Sequence, residues 1–348
     1  MVVPWVVASL IAGCAPRVAP DQRGIDFGAL LEPPAGRVLH GWGQISGYWT
    51  WDDPASARDL DDLDAYVKAA SPLAPAMISF YLAPVESQVA GFLRKYKVFV
   101  ESHPFFVTQI GFYFLDDFLQ KQVASGEADT QMRILFEGLR DAGRPVLLRA
   151  GHEFNNHWSP YDPALYVKGF RRVADLARRV APKTIATVWH AEPTGFADRN
   201  YLDWYPGDEY VDWWGLSLFY QEHMTDKRTV QFMNDAARHR KPVLIGECSP
   251  WFHGAESGTV RGPRGVEEAK GWYDKLFGFV RAYPHVKAVS VIVVDWTRWN
   301  PHFRQIPGGL PNVRFDSMPG LADFYGKLIA SEAFVHSEEA SRLYGSPR

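Results

Sequence analysis

Short apolar, β-rich runs recur along this chain, separated by stretches in which apolar residues fall at helical spacing. The runs are VLHGWG (38–43), AMISFYL (76–82), FFVTQIGFYF (105–114), PVLLRAG (145–151), TIATVWH (184–190), VDWWGLSLF (211–219), PVLIGE (242–247) and AVSVIVVDW (288–296). Near-continuous apolar runs of this length read as strands buried on both faces. Between them, Tyr166, Phe170, Val173 and Val180, and later Trp272, Leu276 and Val280, repeat near every 3.6 residues, as helix faces turned toward a core do. Strands alternating with helices predict a parallel sheet. Eight such units predict an α/β fold closed as a single (β/α)8 barrel. An open doubly wound sheet is disfavoured, since no GxGxxG follows the first strand.

The ends read differently. MVVPWVVASLIAGCAP is too short an apolar run to span a bilayer and suits the core of a signal peptide, predicted over 1–13. Ile11-Ala12-Gly13-Cys14 resembles the bacterial lipoprotein signal, in which cleavage before Cys14 leaves that cysteine carrying lipid. The run lacks the usual Lys or Arg ahead of it, and a first core strand is the alternative reading. Residues 14–36, polar and proline-punctuated, predict a tether. The barrel is expected over 37–333 and a short polar tail over 334–348. A lipidated Cys14 leaves Cys248 alone, which excludes an intramolecular disulfide.

A chain of 348 residues, 47% apolar, can bury one large core rather than several small ones. Its net charge of -3, with no long Lys/Arg block, argues against a phosphate-rich partner such as DNA or RNA. Aromatics make up 14% and include 13 Trp, a surplus that suits either an aromatic-heavy core or rings that stack on sugar faces. No cofactor motif is present, and a monomer is expected.

Two glutamates stand at strand ends: Glu153 in RAGHEFNNHW, after the fourth run, and Glu247 in KPVLIGECSPW, closing the seventh. Strand C-terminal ends of a barrel converge on one face, where active sites of this fold are built. Retaining hydrolysis of a glycoside needs one carboxylic acid to protonate the leaving oxygen and one carboxylate to attack the anomeric carbon, about 5 to 5.5 Å apart. Glu153 is the candidate acid/base and Glu247 the candidate nucleophile. Their pKa values must be split, so Glu153 needs a drier setting and Glu247 a cation or donor. Arg149, on the same strand as Glu153, is the candidate cation, because a guanidinium inside a barrel is costly without a carboxylate partner.

His152 can bond Glu247 or a sugar hydroxyl. Trp158, Trp189, Trp251 and Trp296 fall at or near predicted strand ends and are candidate sugar platforms, Trp189 being the one most open to a structural reading. His190 and Asp295 also lie near that face. A metal site on His152, Glu153 and His157 fails on spacing, since HExxxH is not the HExxH that puts two histidines on one helical face. A serine nucleophile fails for want of a GxSxG elbow.

These residues carry a family resemblance. Arg149 to Glu153 matches an Arg-x-x-His-Glu motif, Trp158 follows it, a strand ends in Glu247, and YPGDEYVDWWGLSLFY (205–220) runs into the sixth strand. Over roughly 38–330 the chain resembles glycoside hydrolase family 26. The resemblance implies a (β/α)8 barrel and a retaining, endo-acting hydrolase of β-linked polysaccharide, most often β-mannan, with β-1,3-xylan and mixed-linkage glucan rarer. It also places His152 in the active site and has Tyr220 donate its hydroxyl to the nucleophile. The run Phe154 to Tyr161, FNNHWSPY, departs from the mannanase pattern of Asn-Gly and several aromatics and is closer to the β-1,3-xylanase branch. The partners implied are a polysaccharide or oligosaccharide substrate and, through Cys14, a membrane. The competing readings are a barrel that captures glycan without cutting it, and a hydrolase of cell-wall or capsule glycans.

Overall fold

The structure, a computed structural model, describes residues 26–45, 54–114, 117–155, 161–192, 194, 200–298 and 310–345. The signal-peptide run, Cys14 and Trp158 lie outside the described residues. Strands β1 (Val38–Ile45), β2 (Met77–Leu82), β3 (Val107–Phe112), β4 (Val146–Ala150), β5 (Ile185–Ala191), β6 (Trp213–Tyr220) and β7 (Val243–His253) pair side by side in chain order, all parallel. After a two-residue β8 (Val260–Arg261), which turns back antiparallel on the end of β7, strand β9 (Val286–Ile292) pairs with both β7 and β1. That closes an eight-stranded parallel barrel. Each of the eight apolar runs read from the sequence overlaps one of these strands.

Helices α1 (Pro54–Ala70), α2 (Glu86–Ser102), α3 (Asp117–Ser125), α4 (Asp129–Asp141), α5 (Pro163–Val180), α6 (Lys227–Arg238), α7 (Val266–Ala282) and α8 (Leu321–Ile329) ring the barrel. α5 shows why these segments are helical. Asp162 caps it by accepting from the Leu165 amide at 2.8 Å, Pro163 supplies a preset φ at its start, and Tyr166, Phe170, Val173 and Ala177 form the buried stripe. Between β5 and β6 the described residues form only two single turns of 3-10 helix, Tyr201–Trp204 and Asp208–Tyr210.

The barrel interior is layered. At the base Leu39, Met77, Val107, Leu147, Trp213, Leu244 and Ala288 form an apolar cluster distinct from the larger core between sheet and helices. Above it the inward positions turn polar: Ser79, Gln109, Arg149, His190, Ser217 and Ser290 are all buried. Gln109 donates through Nε2 to the Gly246 carbonyl at 2.8 Å and to Ser79 Oγ at 3.1 Å. Glycine leaves room for this layer. A Cβ at Gly111 would stand 2.5 Å from the Tyr81 ring, and one at Gly246 would stand 2.7 Å from His190 Cε1.

Both ends of the described chain differ from expectation. Residues 26–36, read as the end of a tether, close the base of the barrel: Trp213 Nε1 donates to the Leu30 carbonyl at 2.8 Å, the Tyr344 hydroxyl donates to Leu31, and Leu30 and Leu31 pack on the basal cluster. The segment after 333, expected as a polar tail, forms β10 (Phe334–Val335), paired with β1, and helix α9 (Ser337–Tyr344), with Val335 and Ala340 wholly buried. A few apolar residues in otherwise polar sequence are enough when the barrel offers them a buried seat.

The basal closure includes an ion pair shut off from water, Lys287 Nζ to Glu32 Oε1 at 3.5 Å, with side-chain exposures of 1% and 2%. Lys287 also points at the carbonyls of Pro33 and Pro34. Removing one partner of such a pair strands the other charge. Glu32→Ala is therefore expected to destabilise the fold by about 3 kcal/mol in denaturant unfolding, and a loss below about 1 kcal/mol, the range of a surface pair, would show that the plug is not held this way.

Candidate active site

The strand ends that build the site are shaped by two backbone irregularities. After β4 the chain turns through Gly151 at φ 57° and Glu153 at φ 53°, and the Glu153 amide donates to the His190 carbonyl on β5 at 2.7 Å. A left-handed backbone is costly for a residue with a side chain, and its persistence here marks a position the surroundings dictate. On β7, Leu216 of β6 faces Ile245 whereas Ser217 faces Glu247, so β7 carries one extra residue, Gly246. The register against β9 shifts over the same stretch. This is a β-bulge, and it changes which side chains of β7 face inward. Simple alternation from the inward Leu244 would turn Glu247 toward the helices; with the bulge, Glu247 reaches the interior and Cys248 packs into the outer core.

A chain of hydrogen bonds then joins the two carboxyl groups. Arg149 Nη1 donates to Glu247 Oε1 at 2.6 Å and to His190 Nδ1 at 3.0 Å. His190 Nε2 and Ser217 Oγ share a hydrogen bond at 3.0 Å, and Ser217 Oγ donates to Glu153 Oε1 at 2.5 Å. Arg149 and His190 are wholly buried, and the Arg149 guanidinium lies 5.1 Å from the centre of the Tyr81 ring. Burial and the Arg149 charge push the His190 pKa well below its usual value. His190 is therefore neutral, with one ring N–H.

The two acids have different environments. Burial first, then the negative charges of Glu247 and Glu192, raise the Glu153 pKa to about 8, while the Ser217 hydroxyl and Arg149 act in the opposite direction. Glu153 is thus protonated at neutral pH. Glu247 lies against a guanidinium that has no solvent to share it with. His152 Nε2 stands 3.9 Å from Glu247 Oε1, its ring is edge-on to Tyr81, and its pKa is driven well down by burial and then by Arg149. Among the described residues its Nδ1 is buried without a hydrogen-bond partner.

Other expected site residues are placed differently. Tyr220 stacks on His253 with ring centres 4.4 Å apart and meets Trp251 edge-on, and among the described residues it makes no hydrogen bond to Glu247. Tyr81, from β2, takes the place beside Glu247: both Arg149 and Glu247 act on its hydroxyl, whose pKa burial raises. Trp189 is no sugar platform. It is wholly buried behind the barrel wall, packed on Phe154, Trp214 and Phe232, with Nε1 donating to the Trp204 carbonyl. Trp251 is half-buried, stacked on Phe219 at 4.2 Å and edge-on to the buried Trp296. Asp295 accepts from Thr297 and pairs with Arg298.

Sequence reasoning missed Ser217, Tyr81 and Glu192. Glu192 follows the end of β5. Asn155 braces its backbone in both directions, donating to its carbonyl at 2.6 Å and accepting from its amide at 2.8 Å, and burial raises its pKa. Among the described residues no three His, Cys, Asp or Glu side chains converge to hold a metal ion.

Comparison with known proteins places this geometry. Residues 124–250 match the model of "Glycosyl hydrolase family 26", a span that includes Arg149, Glu153, His190, Ser217 and Glu247. The chain is 26% identical over 238 residues to a β-1,3-xylanase, TXYA, from Vibrio sp., covering 63% of this chain and 51% of that one. It is 27% identical over 238 residues to a β-1,3-xylanase from Alcaligenes sp., covering 63% and 50%. The chain thus spans about half the length of the curated relatives it matches. Among solved structures it shares its fold with a β-mannanase from Bacteroides ovatus, at a TM-score of 0.58 and 17% identity over 90% of this chain and 94% of that one. An endo-β-1,4-mannanase from Cellulomonas fimi gives 0.59 at 16% identity, covering 90% and 74%.

If the Glu247 charge helps keep Glu153 protonated, Glu247→Gln will lower the Glu153 midpoint from about 8. The 13C shift of the Glu153 carboxyl, followed against pH in both proteins, measures this. An unchanged midpoint would mean that burial alone sets it.

Proposed function

We propose that this chain, whose residues 124–250 match the model of glycoside hydrolase family 26, is a retaining glycoside hydrolase that cuts a neutral β-linked polysaccharide by double displacement. The observation that carries the reading is the pairing of a carboxyl group held protonated, Glu153, with a carboxylate held against a buried guanidinium, Glu247.

In the first step Glu247 attacks the anomeric carbon while Glu153 gives its proton to the departing oxygen. Attack turns Glu247 into an ester and removes its negative charge. The second-largest contribution raising the Glu153 pKa is then gone, and Glu153 becomes a base able to take a proton from water. The same residue serves both steps because its neighbour's charge changes between them. Retention is supported by the register: Ser217 is the cross-strand partner of Glu247 and bonds Glu153 directly, which keeps the two acids close. His152, whose Nε2 stands 3.9 Å from Glu247 Oε1, suits a sugar hydroxyl at the cleavage point.

The substrate we propose first is β-1,3-xylan. Two curated relatives are named as β-1,3-xylanases, and the run after Glu153 departs from the mannanase pattern. β-Mannan stands second, on the strength of the fold neighbours. We also infer an exported monomer held at a membrane through lipidated Cys14, on the lipoprotein-like signal Ile11 to Cys14.

The test is product analysis of the protein on β-1,3-xylan, β-1,4-mannan, β-1,4-xylan and mixed-linkage β-glucan. Release from β-1,3-xylan, with the β-anomer formed first by proton NMR, is expected; release of the α-anomer would overturn the nucleophile role of Glu247. Glu247→Ala abolishes release. Glu153→Gln slows polymer hydrolysis by about 10²- to 10⁴-fold yet still forms the glycosyl-enzyme from a dinitrophenyl glycoside, whose leaving group needs no proton. Binding of all four polymers without release from any would leave a glycan-capturing protein instead.

A further inference from the structure

From the order of donors and acceptors between the two acids we infer that His190 and Ser217 are positioning residues that make Ser217 a permanent hydrogen-bond donor to Glu153, favouring its ionised form in the second step of hydrolysis. The inference rests on the reading of Glu153 as acid/base.

Proton placement along the chain is forced at its first member. Arg149 has no lone pair to offer, so at 3.0 Å from His190 Nδ1 it must donate and His190 must accept. An imidazole that accepts at Nδ1 carries its single proton at Nε2. His190 Nε2 therefore donates to Ser217 Oγ at 3.0 Å. With that lone pair taken, the Ser217 hydrogen is directed to Glu153 Oε1 at 2.5 Å. Arginine cannot give up its charge in a protein, so nothing in the cycle reverses the order. When Glu153 is protonated, its proton sits on Oε2, because Oε1 is already accepting.

The arrangement has opposite effects on the two halves of the reaction. Before attack, a donor to Glu153 works against the protonated acid, and burial and the Glu247 charge outweigh it. After attack the Glu247 charge is gone and Ser217 favours the carboxylate that must activate water. The chain also ties the acids into one unit: the guanidinium that neutralises Glu247 fixes the imidazole that aims Ser217.

Geometry argues against a packing role alone. Ser217 is 1% exposed and His190 is wholly buried, yet both polar groups have partners in line along one path. Two glycines keep that path open, since a Cβ at Gly246 would strike His190 Cε1 at 2.7 Å and one at Gly215 would come within 3.2 Å of His190 Cβ and Cγ.

The test uses the full chain, with Ser217→Ala and the hydroxyl-retaining Ser217→Thr. 15N NMR of His190 is expected to show a proton on Nε2 and none on Nδ1 from pH 5 to 8. The 13C titration of Glu153 is expected to move upward in Ser217→Ala and to return in Ser217→Thr. In kinetics, the alkaline limb of kcat/KM on polymer moves to higher pH in Ser217→Ala. With a dinitrophenyl glycoside, kcat falls about tenfold on the acid side, where the second step limits and about 1.4 kcal/mol of carboxylate stabilisation is lost. A proton on Nδ1, or a Glu153 midpoint unmoved in Ser217→Ala, overturns the inference. A uniform loss of rate at every pH, with unmoved limbs, also overturns it and shows a packing role. The NMR arms need no substrate, so a protein that hydrolyses nothing would sink the proposed activity while they still decide the proton order.

Discussion

A guanidinium with no access to water governs this site. Placing the Arg149 charge inside a barrel carries a desolvation cost of several kcal/mol, and it is sustainable only where a carboxylate stands within hydrogen-bond distance and the remaining neighbours tolerate a cation. Each feature of the surroundings answers to that demand. Glu247 supplies the counter-charge, the Tyr81 ring offers its face, and His190 presents a lone pair and stays neutral. Gly111 and Gly246 leave the volume that a long planar side chain and its imidazole partner occupy.

The same charge separates the behaviour of two chemically identical side chains. Glu247 meets the cation directly, at 2.6 Å, whereas the hydrogen-bonded path from the cation to Glu153 runs through an imidazole and a hydroxyl. A direct ion pair favours a carboxylate far more than a relayed neutral hydrogen bond does. Burial then decides the remainder, and it favours the neutral acid at Glu153. Two carboxyl groups on neighbouring parts of one wall thus differ because of what lies between them and the arginine.

Much of this was legible from residue order, and the reasons are physical. Parallel strands buried on both faces leave apolar runs that cannot be mistaken for polar loops, which is why eight strands could be counted and Arg149 and Glu153 set at the end of the fourth; Glu247, read as closing the seventh, lies within it, since β7 runs on to His253. The bulge could not be read. Alternation alone would have turned Glu247 outward, and an additional glycine in a strand looks no different from any other until its neighbours are known. Ser217 is one small polar residue inside WWGLSLFY and gave no signal; its role comes from partners on two other strands. Tyr220 was placed beside the nucleophile by family likeness, but a second register shift, between Leu218 and Tyr220, accompanies its turn toward His253. Trp189 adjoins an active-site histidine in sequence and, by strand alternation, faces the opposite side of the wall. The ends escaped notice because their contacts are remote: Leu31 meets Tyr344, and Arg37 pairs with Glu339, across almost the whole chain.

The basal plug gives the molecule a polarity. Residues 26–36 seal the ends of the strands where the apolar cluster lies, while Glu153 and Glu247 open from the other ends. The described N-terminal segment therefore lies on the underside, at the opposite ends of the strands from Glu153 and Glu247. The barrel is thus a pedestal: whatever grips its plugged base holds the ends that carry Glu153 and Glu247 facing away from itself.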